Sequence, residues 1–275
     1  MFLVYLVDIY KKDIAFWNYK LYNINMKNNR LTFFDPTNIL LPINVCNTLE
    51  QDAFYFGYEK NNKANISGFL NHLIPCLSNY RDDMHHTFLK NNNNDESLTL
   101  KIEENIYKTY FNKYDYCDDG FANIAFRVND KHYEDFLTIH DIKLAKYNMD
   151  FTNYVRSLLI EYTSKRIGQR EFFYFYDKIN LLKKAMHKNL ECVFYTHNEK
   201  LTFIPITIEL SKLSGKNLVI GLTRDKSFCY IFELVTLKKV ICTNNSNLIT
   251  QEDCDFAYDS LSDYYEKEQD NLCLD

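Results

Sequence analysis

The chain has 275 residues, 46% hydrophobic and 25% charged, with a formal net charge of −5. That length holds two or three small domains with cores of their own, and the balance is that of a water-soluble globular protein rather than a disordered or membrane-spanning one. The opening apolar run, Phe2 to Val7, stops at Asp8, too short for a secretory signal core or a membrane span, so a cytoplasmic location and no membrane contact are expected.

Residues 1–37 alternate weakly and predict a hairpin around Lys27–Arg30. Two stretches 85 positions apart then carry one hydrophobic pattern: Ile66, Phe69, Leu70, Leu73, Ile74, Leu77, and Phe151, Tyr154, Val155, Leu158, Leu159, Tyr162. The spacing i, i+3, i+4, i+7, i+8, i+11 is one face of an α-helix. Polar N-cap residues precede each, Asn65 in one and Asn148 or Asp150 in the other. Upstream of each lies a further helical stretch, with Leu49, Ala53, Phe56 in the first and Tyr133, Leu137, His140 in the second. Upstream again are alternating segments, Leu41, Ile43, Val45 and Ile124, Phe126, Val128. Strand, helix, helix, written twice, predicts a duplicated module at residues 38–86 and 122–168. Between the copies, residues 87–121 hold an asparagine-rich loop, a helix over Ser97 to Asp115, and a turn at Asp118–Gly120.

A connecting helix is expected within 169–190, over Asp177 to Lys188. Residues 191–243 then change period: Glu191–Thr196, Leu201–Glu209, Asn217–Thr223, Ser227–Leu234 and Thr236–Cys242 read as five short strands, which predict a strongly bent antiparallel barrel. Residues 244–275 are acidic. Gln251 to Asp275 holds nine acids and one lysine, with Cys254, Tyr258, Leu261 and Tyr265 at helical spacing. That pattern predicts an amphipathic helix docked on a neighbour; the alternative is a disordered tail that competes with nucleic acid for a basic face. The fold class expected is therefore α+β.

Charge is unevenly spread. The tail carries −8, so the other 250 residues carry +3, and residues 121–190 hold twelve Lys/Arg against eight Asp/Glu. The excess positive charge falls on the second copy, as a nucleic-acid footprint requires. No Gly-x-Gly-x-x-Gly, phosphate loop, Gly-x-Ser-x-Gly or His-Glu-x-x-His occurs, so no catalytic site and no cofactor are expected. The eight cysteines form no Cys-x-x-Cys pair and are expected to be free thiols packed as small core residues. No metal site is expected: His85 and His86 are adjacent and point apart on a helix, and the Asp253, Asp255, Asp259, Asp263 series lacks the glycine and glutamate of a calcium loop.

A strand followed by two helices, the second opened by a polar cap, resembles the ribbon-helix-helix DNA-binding module. The resemblance implies that two modules pair their strands into an antiparallel ribbon for a major groove, while the start of the second helix clamps a phosphate. Asn123 to Arg166 matches well, with Ile124, Phe126 and Val128 inward and Asn123, Ala125, Arg127 and Asn129 outward. Lys131, Thr152, Arg156, Lys165, Arg166 and Arg170 complete the expected nucleic-acid contacts. The first copy is degenerate: Leu40, Pro42 and Asn44 point outward without a basic group, and Pro75 should kink or end its second helix. The two modules could pair within one chain or across a homodimer; a homodimer is expected.

The five-stranded segment resembles a WYL domain, an Sm-like or SH3-like barrel of bacterial regulators. The features are Ala185 in the lead-in helix, Phe194–Tyr195, Pro205, Leu218–Gly221, Ile231–Leu234, and Leu237 with Val240. Asn217, Leu218 and Val219 replace the Trp–Tyr–Leu triplet, and both arginines of the closing motif are absent. Tyr195, Lys200, Arg224 and Lys226 are the weak substitutes on the ligand face. Ribbon-helix-helix joined to WYL is similar to accessory proteins of type VI CRISPR RNA-guided RNA nucleases. That similarity implies single-stranded RNA or DNA, and a CRISPR effector nuclease, as partners. The alternatives are a transcriptional regulator of the same architecture and a scaffold that binds only protein.

Overall fold

The computed structural model describes residues 37–114, 120–147, 150–196 and 199–272. The expected hairpin at Lys27–Arg30, turn residues Asp118 and Asp119, and the cap candidate Asn148 lie outside them.

Strand β1 (Thr37–Pro42) turns Ile39 and Leu41 into the core and leaves Asn38 and Leu40 in solvent. Pro42 ends it, because proline gives a ladder no N–H while its fixed φ suits the start of a helix. Helix α1 (Ile43–Tyr55) begins there, so Ile43, Asn44 and Val45 stand on its first turn rather than on the strand, and Pro42 is buried rather than outward. A small hairpin, β2 (Glu59–Lys60) and β3 (Lys63–Ala64), follows, turning on Asn61 and Asn62 at φ 55° and 57°, a left-handed conformation that asparagine tolerates better than most residues.

Helix α2 (Ile66–Asn91) opens on Asn65, whose side chain accepts the Gly68 N–H at 3.0 Å. The helix continues through Pro75 rather than ending there. An interior proline costs about 3 kcal/mol. Phe69, Leu70, Leu73, Ile74 and Leu77 are all buried around it, at about 1.5–3 kcal/mol each, so packing wins. Helix α3 (Glu96–Tyr114) returns along α2, tied by His85 Nδ1 against Glu103 Oε2 at 2.9 Å.

Strand β4 (Phe121–Phe126) repeats the β1 pattern, with Ile124 and Phe126 inward and Asn123 and Ala125 outward, and it pairs with β1. Ile43 donates its N–H to the Gly120 carbonyl at 3.1 Å, which sets the end of one strand beside the start of the other, as in an antiparallel ribbon. The two copies are thus joined within one chain. After β4 the first helix of the second copy is broken into a 3-10 turn (Asp130–His132), α4 (Tyr133–Thr138), a π-helical stretch (Ile139–Lys143) and α5 (Leu144–Tyr147). Its buried residues are Phe136, Leu137 and Ile139, where Tyr133, Leu137 and His140 were expected, because the changes of helical period rotate the face.

Helix α6 (Phe151–Thr163) buries Tyr154, Val155, Leu158, Leu159 and Tyr162 as its spacing predicts. It packs on α2 through Ser78 Oγ and the Tyr154 hydroxyl at 3.0 Å, and through Arg81, which donates to Ser157 Oγ at 2.9 Å and Glu161 Oε2 at 3.0 Å. Helices α7 (Ile167–Tyr174) and α8 (Tyr176–His187) lead to the sheet. Gly168 lets α7 sit on the turn between the second and third sheet strands: a Cβ there would lie 2.6 Å from the Gly215 carbonyl oxygen.

The sheet strands are β5 (Leu190–Tyr195), β6 (Lys200–Leu210), β7 (Asn217–Leu222), β8 (Cys229–Glu233) and β9 (Lys239–Ser246). Their order is β8-β7-β6-β5-β9, with every neighbouring pair antiparallel and irregularities at Pro205–Thr207 and Leu190–Cys192 that bend the sheet. A closed barrel was expected, but no ladder joins β8 to β9 among the described residues, and the sheet is open. A 3-10 turn, Leu234–Thr236, carries the chain from one edge to the other. The inner face is filled by α8, whose Ile179, Leu182 and Ala185 share a core with Phe194, Phe203 and Val240. Phe203 stacks on Phe194 and lies over Gly221, where a Cβ would meet the ring at 2.1 Å.

Helix α9 (Gln251–Leu272) docks on the opposite face of β7 and β8, burying Ala257 and Leu261 against Leu218, Ile220 and Leu222. Tyr258, expected on the buried stripe, is 47% exposed, and Ala257 takes its place. Of the described cysteines, Cys76 and Cys192 are buried and Cys46, Cys229, Cys242 and Cys254 partly so, all as free thiols. No helix among the described residues is long and apolar enough to cross a membrane.

Candidate nucleic-acid interface

The outward face of the β1–β4 ribbon presents Asn38, Leu40, Asn123 and Ala125, with Arg127 just beyond the end of β4. Arg127 is held by its backbone: its N–H donates to Ser67 Oγ at 3.3 Å and its carbonyl accepts from Asn71 Nδ2 at 2.8 Å. Asn71 also accepts the Asn129 N–H at 2.9 Å, so one buried amide on α2 fixes the exit of the second strand. The Arg127 side chain is exposed and makes no ion pair among the described residues. Sequence reasoning missed Asn71. The available signal was a polar residue between Leu70 and Leu73 on an otherwise apolar helix face.

Asn129 does not serve the same face. Its side chain accepts the His132 N–H at 3.1 Å and caps the 3-10 turn, so its amide oxygen is already engaged. Lys131, in that turn, is exposed.

The start of α6 departs from the expected phosphate clamp. Asp150 occupies it, accepting the Asn153 N–H at 2.8 Å and Asn153 Nδ2 at 2.6 Å. A carboxylate there satisfies the helix end and repels a phosphate. Thr152 is half-buried on the first turn. Arg156 is turned back on the ribbon, its Nε donating to the Leu40 carbonyl at 3.0 Å and its Nη1 to Asn153 Oδ1 at 3.2 Å. Arg170 is turned inward: it forks onto the buried carboxylate of Asp52 and gives its third bond to the Lys165 carbonyl at 2.6 Å. Lys165 is half-buried, and Arg166 is exposed at the N-cap of α7. Of the second copy's candidates, the structure leaves Asn123, Arg127, Lys131 and Arg166 presented to solvent and assigns Asn129, Arg156 and Arg170 internal bonds.

On the sheet, Lys226 is likewise engaged: its Nζ contacts Asp253 Oδ2 at 2.6 Å and the Leu248 carbonyl at 2.5 Å, pinning the start of α9. Arg224 is 72% exposed, its Nε 3.7 Å from Glu191 Oε2. Tyr195 and Lys200 are direct cross-strand partners, and Lys239, which the sequence did not single out, flanks Tyr195 on the other side. Glu171 joins the helical part to the sheet. It accepts from the Tyr55 hydroxyl and from both the backbone N–H and the side chain of Asn217, and burial holds its carboxyl above the ordinary range. Among the described residues no group of three His, Cys, Asp or Glu is placed to hold a metal ion.

No protein-family model matches the chain, and no curated protein matches it. A solved structure described as the crystal structure of a CRISPR Cas-related protein shares the fold, with a TM-score of 0.53 over 79% of this chain at 16% identity. The match covers 65% of that protein, so this chain spans about two thirds of its length.

Proposed function

We propose that the chain is a non-enzymatic nucleic-acid-binding accessory or regulatory protein. In this reading the two repeats are ribbon-helix-helix modules paired inside one polypeptide, and the sheet is a WYL domain. The observation that carries the reading is the β1–β4 ribbon itself, flanked by the helices of both copies and exposing Asn123 and Arg127. The strand order β8-β7-β6-β5-β9, with a 3-10 turn before the last strand, supports an Sm-like sheet of the WYL kind. The CRISPR Cas-related neighbour, and the resemblance to type VI accessory proteins, favour modulation of an RNA-guided RNA nuclease in the cytoplasm over transcriptional control.

The test is the salt dependence of binding to labelled single-stranded RNA and duplex DNA. Neutralising Z phosphates gives a log–log slope of about −0.7Z on single strands and −0.9Z on duplex. Arg127→Ala should weaken binding, since an arginine contact to a base edge is worth about 1–3 kcal/mol. Absence of binding to either at low salt would leave the protein-only scaffold. The ribbon needs no second chain to form, so a homodimer must use other surfaces. Sedimentation at micromolar concentration separates a species of 32.9 kDa from one of twice that mass.

A further inference from the structure

We infer that Cys192 and Cys242 are a redox modification site: a hydroperoxide joins them in a disulfide that locks the edge strand β9 to β5. The two cysteines stand directly opposite each other in the antiparallel ladder between these strands. Directly opposed residues hold their Cα atoms about 4.5–5.5 Å apart, within the span of about 4.4–6.8 Å that a disulfide bridges. Both side chains lie on the inner face, where Cys192 shares the core with Phe194 and Val240 and Cys242 packs against it, half-buried. Their sulfurs are 3.3 Å apart, about 1.3 Å more than a disulfide bond, so a small change of side-chain rotamers suffices and the ladder stays paired. Cys242 Sγ also lies 3.7 Å from the Leu181 carbonyl of α8, so helix and sheet together hold the two sulfurs on each other.

The two thiols divide the chemistry between them. Cys192 is fully buried, and burial holds its thiol well above the ordinary range, so it does not meet an oxidant as a free thiolate. Cys242 is half-buried on the edge strand and is the member that a small oxidant reaches. Its sulfur, having lost its proton to water, attacks one oxygen of hydrogen peroxide. An S–O bond forms, the O–O bond breaks, and the leaving hydroxide takes up a proton as water. Sulfur gives up two electrons and becomes a sulfenic acid. Cys192 Sγ then attacks Cys242 Sγ: the S–S bond forms, the S–O bond breaks, and the hydroxyl leaves as water with the Cys192 proton. The sum is two thiols and one peroxide to one disulfide and two waters. Small thiols such as glutathione reverse it by exchange. The bond closes the 50 positions that hold β6, β7, β8 and the 3-10 turn, and so removes entropy from the unfolded chain.

The full reduced chain is treated with hydrogen peroxide, the remaining thiols are blocked with iodoacetamide, and the unreduced protein is digested with trypsin for mass spectrometry. Peptide Asn189–Lys200 should appear joined to Val240–Lys267, lacking the hydrogens of both thiols, and dithiothreitol should separate them. Val240–Lys267 also holds Cys254, so Cys254→Ala should keep the linked species and Cys242→Ala should abolish it. Cys192→Ala should leave Cys242 as a sulfenic acid that dimedone captures. The melting temperature should rise by roughly 5–15 °C on oxidation and fall back on reduction. Cys192 and Cys242 both alkylated after peroxide has oxidised other cysteines would overturn the inference. So would a linked species that survives Cys242→Ala or that forms only in the urea-unfolded chain. The wild-type and Cys254→Ala digests carry the test even where Cys192→Ala does not fold.

Discussion

Asp52 on α1 and Arg170 on α7 form a two-pronged ion pair across 118 residues of chain, Nε to Oδ2 at 2.7 Å and Nη2 to Oδ1 at 3.0 Å. The Tyr162 hydroxyl donates to the same Oδ2 at 2.7 Å, and Asp52 is 2% exposed. A planar guanidinium is needed to fill both oxygens at once. Arg170→Ala should therefore lower unfolding free energy by about 3–5 kcal/mol, because it leaves a buried carboxylate with one hydroxyl donor. Arg170→Lys should fall between. Urea denaturation followed by circular dichroism measures both. An Arg170→Ala protein as stable as wild type would mean that water reaches Asp52.

Asn71→Ala removes the amide that holds the Arg127 carbonyl and the Asn129 N–H. Each buried group left without a partner costs about 1–3 kcal/mol. The expected result is a lower melting temperature together with faster amide exchange at Asn129. Unchanged protection there would show that the strand exit is held by other bonds.

Leu261→Ala should destabilise the protein by about 2–5 kcal/mol, and removal of residues 251–275 should do more, because Leu261 and Ala257 seal the outer face of β7. Lys226→Ala should act in the same direction but more weakly, by releasing Asp253 at the start of α9 from the turn between β7 and β8. A truncated chain with wild-type melting temperature and tighter nucleic-acid binding would instead make the tail an electrostatic competitor.

Lys178 donates to the Leu237 carbonyl and lies 4.1 Å from the Phe175 ring centroid, and burial pushes its ammonium down to about 8. Below that pH the lysine is charged in both the folded and unfolded chain, and folding bears the full desolvation penalty. Between about 8 and the ordinary lysine value the unfolded chain binds more protons, so stability rises with pH. The slope for one proton is at most about 1.4 kcal/mol per pH unit. The difference in stability between wild type and Lys178→Met, measured from pH 7 to 10, should shift toward wild type across that window. A flat difference would mean an ordinary, hydrated ammonium.

The helices and strands were legible wherever one face repeats. The stripes are buried as read from Phe69 to Leu77 and from Tyr154 to Tyr162, with Ile66 and Phe151 half-buried at their starts, Asn65 and Asp150 cap them, and the five sheet strands fall within a few residues of their expected limits. Reading failed where a local rule met a distant partner. Pro75 looked like a breaker because the side chains that hold its helix together come from other elements. Arg156 and Arg170 looked like phosphate ligands because a sequence shows charge but not the Leu40 carbonyl or the Asp52 carboxylate, more than a hundred positions away, that take it up. The open sheet was hidden for a similar reason: helix α8, rather than a last ladder, fills its inner face.

A ribbon whose two strands belong to one polypeptide is insensitive to dilution. Its formation is a unimolecular event, governed by folding stability and not by protomer concentration, and a cell holding a few copies has as complete a ribbon in each as one holding thousands. The halves are also released from identity. One strand presents Asn38 and Leu40 and the other Asn123 and Ala125, so whatever lies across them is met by two different edges. A nucleic acid bound there, as proposed, would be read with a direction, with no inverted repeat required.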